Sequence, residues 1–127
     1  MRIYEYSSIS LLREKEPSLV NNQVHLIKAA FLKILAHPIR LKILELLAQG
    51  EQSVGQFSQS LSVDQPTVSR HLGILKQGGL VISRQEGASV LYQIQGKETV
   101  QLLAYLTELL KRKLQVDQEL LKGFEEA

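Results

Sequence analysis

Between Gln65 and Gln77 the chain reads QPTVSRHLGILKQ. Val68, Leu72 and Leu75 stand at i, i+4 and i+7, which draws one apolar stripe along a helix. That stripe turns Gln65, Thr67, Ser69, Arg70 and Gly73 outward. The outward set has the chemistry to read nucleic acid. Gln can pair with adenine, Arg with guanine, and Thr and Ser with base edges or phosphate oxygens. Gly73 leaves room for the backbone to approach a groove closely, and Pro66 suits the first helical position, where no N–H is needed. Taken alone, the same residues also read as a generic polar helix face.

Charge distribution favours a polyanion partner more than the net charge of +2 does. From Gln65 to Gln85 there is no acid, only Arg70, Lys76, Arg84 and the titratable His71; from Pro17 to Leu44 there is again none, with Lys28, Lys33, Arg40 and Lys42. The acids gather late, at Glu98, Glu108, Asp117, Glu119, Glu125 and Glu126. Attraction to a polyanion depends on local potential, so one basic face suffices; the alternative is chance clustering on solvated faces. From Gln49 to Gln65, nine of 17 residues are Gln or Ser. They read as a solvated surface or as uncharged donors along a phosphate backbone.

Other chemistries find no residues. With no Cys, disulfides, thiolate metal sites and thiol nucleophiles are excluded. Ser69 and His71 are two apart on a helix, face different ways and cannot form a dyad. There is no Gly-x-Ser-x-Gly elbow and no Gly-rich phosphate loop; Gly78-Gly79 is a helix stop, and Glu125-Glu126 a terminal tail. The three histidines, His25, His37 and His71, have no His or carboxylate partner at i+3 or i+4, so no metal and no other cofactor is expected. His37 reads as a helix cap or packed polar residue, His71 as bonded within its own motif or to DNA phosphate, His25 as lying on a polar helix side. An enzyme is not expected.

The elements that must position this face follow from punctuation and periodicity. Residues 1–19 read as an arm or a short extra helix, and residues 20–127 as one domain, in keeping with a length of 127 residues, 44% of them hydrophobic. A helix is expected from Val20 to Ala36, with Val20, Val24, Ile27, Phe31 and Ile34 as its stripe. Leu26, Ala30, Leu32 and Leu35 widen that stripe beyond what one partner covers. His37-Pro38 ends it and starts a second helix, which buries Ile39, Ile43, Leu44, Leu46 and Leu47 and stops at Gly50. Ser53 and Gln56 read as a capping box for a short helix with Val54, Phe57 and Leu61 inward; Gly55 inside it calls for tight packing nearby. After the turn Ser62-Val63-Asp64, either Asp64 or Gln65 caps the next helix. Leu80–Arg84 and Ser89–Ile94 are β-prone, with Gln85–Ala88 as the hairpin loop. Gly96 breaks the unit, and a last helix from Lys97 to Lys122 carries Leu103, Leu106, Leu110, Leu114 and Leu121 on one side.

A short helix, a three-residue turn and a helix make a helix-turn-helix, and the β-hairpin after it makes a wing. The expected fold is therefore mainly α with a small β-hairpin, a winged helix-turn-helix. No run approaches the ~20 apolar residues of a membrane helix, and the N-terminus lacks a signal-peptide pattern, so the expectation is a cytoplasmic protein with no membrane partner.

The segments LAHPIRLKILELL, SVGQFSQSLSVDQPTVSRHLGILKQGGLV and SRQEGASVLYQI, in that order, resemble the ArsR family of bacterial winged-helix repressors. The match runs from about Leu35 to Ile94, and PTVSRHLGILKQGGLV is its most specific part. The resemblance implies a homodimer built on the first and last helices, operator DNA under the Gln65–His71 segment, and repression relieved by an inducer. The excess apolar surface of the flanking helices agrees. The dimer residues expected are Val24, Ile27, Phe31, Leu103, Leu106 and Leu110. The DNA-binding residues expected are Gln65, Pro66, Thr67, Ser69, Arg70, His71, Lys76 and Arg84.

Two departures from the family pattern bear on sensing and on the wing. The thiolate box of metal-sensing members would fall near Glu51–Phe57, which here reads EQSVGQF, and the last helix has Asp117 but no His. Neither familiar metal site carries over. After Gly87 stand Ala88-Ser89, where family wings often carry a basic residue, so Arg84 is the wing's one cation. The reading is a dimeric repressor of a pseudo-palindromic operator, with a winged-helix protein-interaction module as the alternative. Three options remain for control, namely a small organic effector, a partner protein or no inducer, and an effector is expected at the dimer interface, near the first and last helices and the N-terminal arm. Tyr4, Tyr6, Phe31 and Tyr105 can supply aromatic surface there, or serve packing.

Overall fold

The computed structural model describes residues 17–114 and 118–126. The element order is α1 (Pro17–Leu35), α2 (Pro38–Leu47), β1 (Gln52–Ser53), α3 (Val54–Leu61), α4 (Gln65–Gln77), β2 (Val81–Glu86), β3 (Ser89–Ile94), α5 (Lys97–Lys113) and α6 (Gln118–Glu126). It is a winged helix-turn-helix. By its contacts the chain divides into two compact units, with the boundary between Gln95 and Gly96. The expected arm, with Tyr4 and Tyr6, lies outside the described residues up to residue 16. The first helix begins at Pro17 rather than Val20, so a proline expected to punctuate instead opens the helix.

The core of the first unit follows the expected stripes in part, with Ile39, Leu46, Val54 and Leu61 only half-buried. Ile43, Leu44, Phe57, Val68, Leu72, Leu75, Leu80 and Val81 are fully buried, joining α2, α3 and α4 to the root of the sheet. Local chemistry sets the ends of these helices. His37 caps α2, its Nδ1 accepting from the Ile39 amide at 3.1 Å. Ser53 and Gln56 form the full capping box of α3: the Gln56 amide donates to Ser53 Oγ at 3.3 Å and the Ser53 amide to Gln56 Oε1 at 2.8 Å. Asp64, not Gln65, caps α4, accepting from the Thr67 amide at 3.1 Å; Pro66 is therefore the second helical residue. At the other end of α4, Leu80 N–H bonds the Leu75 carbonyl and Gly79 N–H that of Lys76. This pairing needs a left-handed residue between them, and Gly79 supplies it at φ +79°.

The sheet has three antiparallel strands in the order β1-β3-β2. Two strands form the hairpin, in register from Val81↔Ile94 to Glu86↔Ser89. The connecting loop is two residues, Gly87-Ala88, not the four expected. Gly87 has φ +59°, the positive value that a tight hairpin turn requires at its first central residue. The third strand was not expected: Gln52 and Ser53 pair with Tyr92 and Leu91.

In the second unit, the single helix expected from Lys97 to Lys122 is two. The amide of Leu114 still bonds the Leu110 carbonyl, but Leu114 is no longer helical. Lys111, Arg112 and Lys113 fill the last turn of α5 and Glu119 the first turn of α6, each sign matching the helix end it occupies. No described helix is long and apolar enough to cross a membrane.

Candidate nucleic-acid interface

The fold anchors α4 by one face and exposes the other. Val68, Leu72 and Leu75 are fully buried, while Gln65, Pro66, Ser69, Arg70 and Gly73 are exposed. A Cβ built at Gly73 meets nothing within 4 Å, so no neighbour among the described residues requires a glycine there. The side chains of Gln65, Ser69 and Arg70 make no hydrogen bond or ion pair to another described residue. Thr67 is half-buried and turned back into the cap, its hydroxyl donating to Asp64 Oδ1 at 2.8 Å and lying 2.9 Å from Oδ2. Those bonds, the hydroxyl first and the amide second, hold the Asp64 carboxyl below the usual carboxylate range. Its oxygen can still accept, but its proton is spoken for.

His71 is not on the outer face. It is 3% exposed, because it sits one turn from Val68 and Leu75 on the anchored side of α4. Its Nδ1 accepts from Arg40 Nε at 3.1 Å, and Arg40 Nη1 reaches on to the Ile34 carbonyl at 2.9 Å. The His37 ring lies 4.3 Å away, centroid to centroid, tilted by 43°. Both rings thus accept a hydrogen bond at Nδ1 and carry their hydrogen on Nε2. A metal on either ring's Nε2 would drive that hydrogen to Nδ1, against a donor already there. Burial, then the electrostatic influence of His37 and the charges of Arg40 and Arg70, push the His71 pKa down. Among the described residues there is no group of three or more His, Cys, Asp or Glu that could hold a metal ion; Asp117 lies outside them.

The other two cations expected at the interface, Lys76 and Arg84, are engaged. Lys76 Nζ donates to Ser83 Oγ at 2.7 Å, tying the end of α4 to β2. Arg84 is exposed but held by two carboxylates: Glu51 receives its Nη2 at 2.7 Å and its Nε at 3.3 Å, and Glu86 stands 2.6 Å from its Nη1. Gln93 adds a third bond to Glu51 at 3.0 Å. The Arg84 fork, helped by Gln93, holds Glu51 below the usual carboxylate range, and the two acids push Arg84 up. Sequence reading missed Arg40 and Glu51; each meets its partner more than thirty residues away, and no local spacing signals such a contact.

The residues expected at a dimer interface divide. Ile27 and Leu103 are already buried in the single chain, so neither has much surface left for a partner. Val24, Phe31 and Leu110 are half-buried, and Leu106 is 40% exposed. On these two helices the large apolar residues that face outward are Leu26 and Leu32 of α1 and Leu102, Tyr105, Leu106 and Leu109 of α5. On α5 they form a shallow groove bordered by Glu108 and Arg112. The widened stripe of the first helix was the signal for Leu26 and Leu32.

Residues 37–83 match the family model described as bacterial regulatory protein, arsR family. An uncharacterised HTH-type transcriptional regulator of Mycobacterium tuberculosis, Rv0081, is 38% identical over 89 residues, which is 69% of this chain and 78% of the relative. Its crystal structure superposes with a TM-score of 0.69 at 34% identity, covering 80% of this chain and 96% of that one. The biofilm growth-associated repressor of Agrobacterium fabrum is 41% identical over 61% of this chain and 67% of its own length. A homodimeric winged helix-turn-helix DNA-binding domain from Mycobacterium bovis, solved by NMR, gives a TM-score of 0.66 at 35% identity, over 79% of this chain and 89% of that one.

Proposed function

The chain belongs to the arsR family of bacterial regulatory proteins, and from that premise we propose that it is a homodimeric transcriptional repressor that binds a pseudo-palindromic operator. One observation carries the DNA reading. The exposed half of α4 offers Gln65, Ser69 and Arg70 without internal partners and without a single acid, on a helix fixed from behind by four buried side chains. Such a helix can enter a major groove with its N-terminal residues against base edges. Thr67, its hydroxyl proton committed to Asp64, holds the cap rather than reading DNA, and Lys76 supplies charge at the far end. Two copies related by a two-fold axis place their α4 helices about one helical turn, ~10 bp, apart.

The α5 groove of Leu102, Tyr105, Leu106 and Leu109 is the surface we assign to the second copy. The related Mycobacterium bovis domain is homodimeric. With no Cys in the 127 residues, control by a thiolate-bound metal is not available, which leaves a small organic effector or a partner protein as the kind of inducer.

The test is selection from random duplexes, sequencing of the bound fraction, and measurement of Arg70→Ala on the recovered operator. The expected cost is about 1–3 kcal/mol. A guanine contact relaxes one base position, whereas a phosphate contact weakens all sequences alike. Recovery of no preferred sequence would leave the chain a protein-interaction module instead.

A further inference from the structure

Arg40 occupies a position that no base-reading role explains. From α2 it donates in two directions, to the carbonyl of Ile34 near the end of α1 and to the buried ring of His71 on α4. One guanidinium therefore joins three helices, and the third is the helix whose outer face is offered to DNA. The Arg40–His71 bond exists in one protonation state only. Arg40 cannot accept, so His71 Nδ1 must keep its lone pair. A proton there sets donor against donor and adds a cation beside Arg40, in a site 3% exposed.

The surroundings make that proton costly to hold. His37 faces the ring from the α1–α2 corner, Arg40 from α2, and Arg70 from its own helix. None of these is an acid. On α2 Lys42 and the one acid, Glu45, are exposed, as are the capping Asp64 and Lys76 of α4 and His25, Lys28 and Lys33 of α1; α3 carries no titratable residue, and on β2 Arg84 and Glu86 are exposed and paired with each other. Nothing described stands ready to compensate an imidazolium, so its relief is to break the bond and let α4 shift.

We propose that Arg40 and His71 are a positioning pair that holds α4 in its DNA-competent orientation, and that operator binding is lost when His71 takes up a proton. The inference rests on the DNA-binding reading above. It predicts the opposite of generic polyanion binding, which strengthens as histidines become charged.

The experiment is fluorescence anisotropy of the full chain on its selected operator from pH 7.5 to 5.0 at fixed ionic strength, with circular dichroism over the same range. Wild type should lose affinity progressively as the pH falls to 5.0 while its helical signal persists, since only the neutral-ring fraction binds and two protomers compound the loss. His71→Asn keeps an acceptor near the Nδ1 position and cannot titrate. Its affinity at pH 7.5 should fall below that of wild type, and its pH profile should be flat. Arg40→Gln removes the charge that opposes protonation, so its binding should be weaker at neutral pH and its acid midpoint higher. That shift also serves should His71→Asn not fold. Wild-type affinity that stays level or tightens in acid overturns the proposal, as does an unshifted midpoint in Arg40→Gln. Absence of any selected operator at pH 7.5 overturns the DNA reading instead.

Discussion

Freeing Arg84 from Glu51 should tighten the hold on DNA. Glu51, Arg84 and Glu86 together carry one net negative charge at the wing, where a duplex would present phosphates. Glu51→Gln preserves the shape and an acceptor for the guanidinium but leaves Arg84 and Glu86 in balance. Operator affinity should rise several-fold, and its salt dependence should steepen by about one phosphate contact per protomer, read between roughly 0.05 and 0.2 M salt. Unchanged affinity and slope would mean that the wing stays clear of the duplex. At His71 the expectation concerns stability. Its folded pKa is depressed, chiefly by burial and then by His37, while the unfolded ring titrates near 6.5. The unfolded chain therefore takes up a proton that the folded one resists. Stability is full above about pH 6.5 and falls as the pH drops from there towards the folded value. Urea midpoints at pH 7.5 and 5.5 should differ in that direction, and His71→Asn should remove the part of the difference that arises in this window.

At the level of elements, Gly55 supplies a test of the short helix. Its presence in α3 pointed to close packing, yet it is exposed, and a Cβ there would meet only Gln65 Nε2 and Ser53 Oγ, each at 3.9 Å. With a negative φ and ordinary contacts, Gly55→Ala should stabilise the fold by about 0.5–1 kcal/mol, seen as a higher thermal midpoint. A lower midpoint would show that Gly55 is needed for space after all. What the sequence revealed and what it hid divide by distance along the chain. The His37 cap, the Ser53–Gln56 box, the Asp64 cap and the Gly79 stop depend on residues two to five apart, and their patterns are readable in place. The outward set of α4 was legible for the same reason, apart from Thr67, which turns back to the cap; His71, expected to touch DNA, lies on the buried side, where the spacing of Val68, Leu72 and Leu75 could have placed it. Strand β1 has two residues and no periodicity; only β3 makes it a strand. The break between α5 and α6 was written in the cluster of cations at Lys111–Lys113 followed by Glu119, but a continuous leucine stripe outweighed it. Contacts such as Arg40 with His71 depend on the fold itself.

For the whole molecule, the exposed groove of α5 sets an expectation about assembly. Leu102, Leu106 and Leu109 are each 40–51% exposed and Tyr105 is 74% exposed, an apolar surface of the kind that marks an interaction site. Light scattering should give twice the chain mass at micromolar concentration, and Leu106→Glu should give a monomer with unchanged helical content. A wild-type monomer at that concentration would remove the dimer from the account, and with it the ~10 bp spacing of the two readers. The pairing of β1 has a consequence of another kind, for the order in which the chain can be finished as it is made. Ser53 is at once the cap of α3 and the partner of Leu91, so the front of the helix-turn-helix is sealed by a strand about forty residues downstream. Helices α3 and α4 can form from local contacts, but the edge of the sheet closes only after a long loop is bridged. During synthesis, then, α3 and α4 are exposed to the ribosome surface before β3 has emerged. The wing, read as the last part of the reader to appear, is also the part that completes the first.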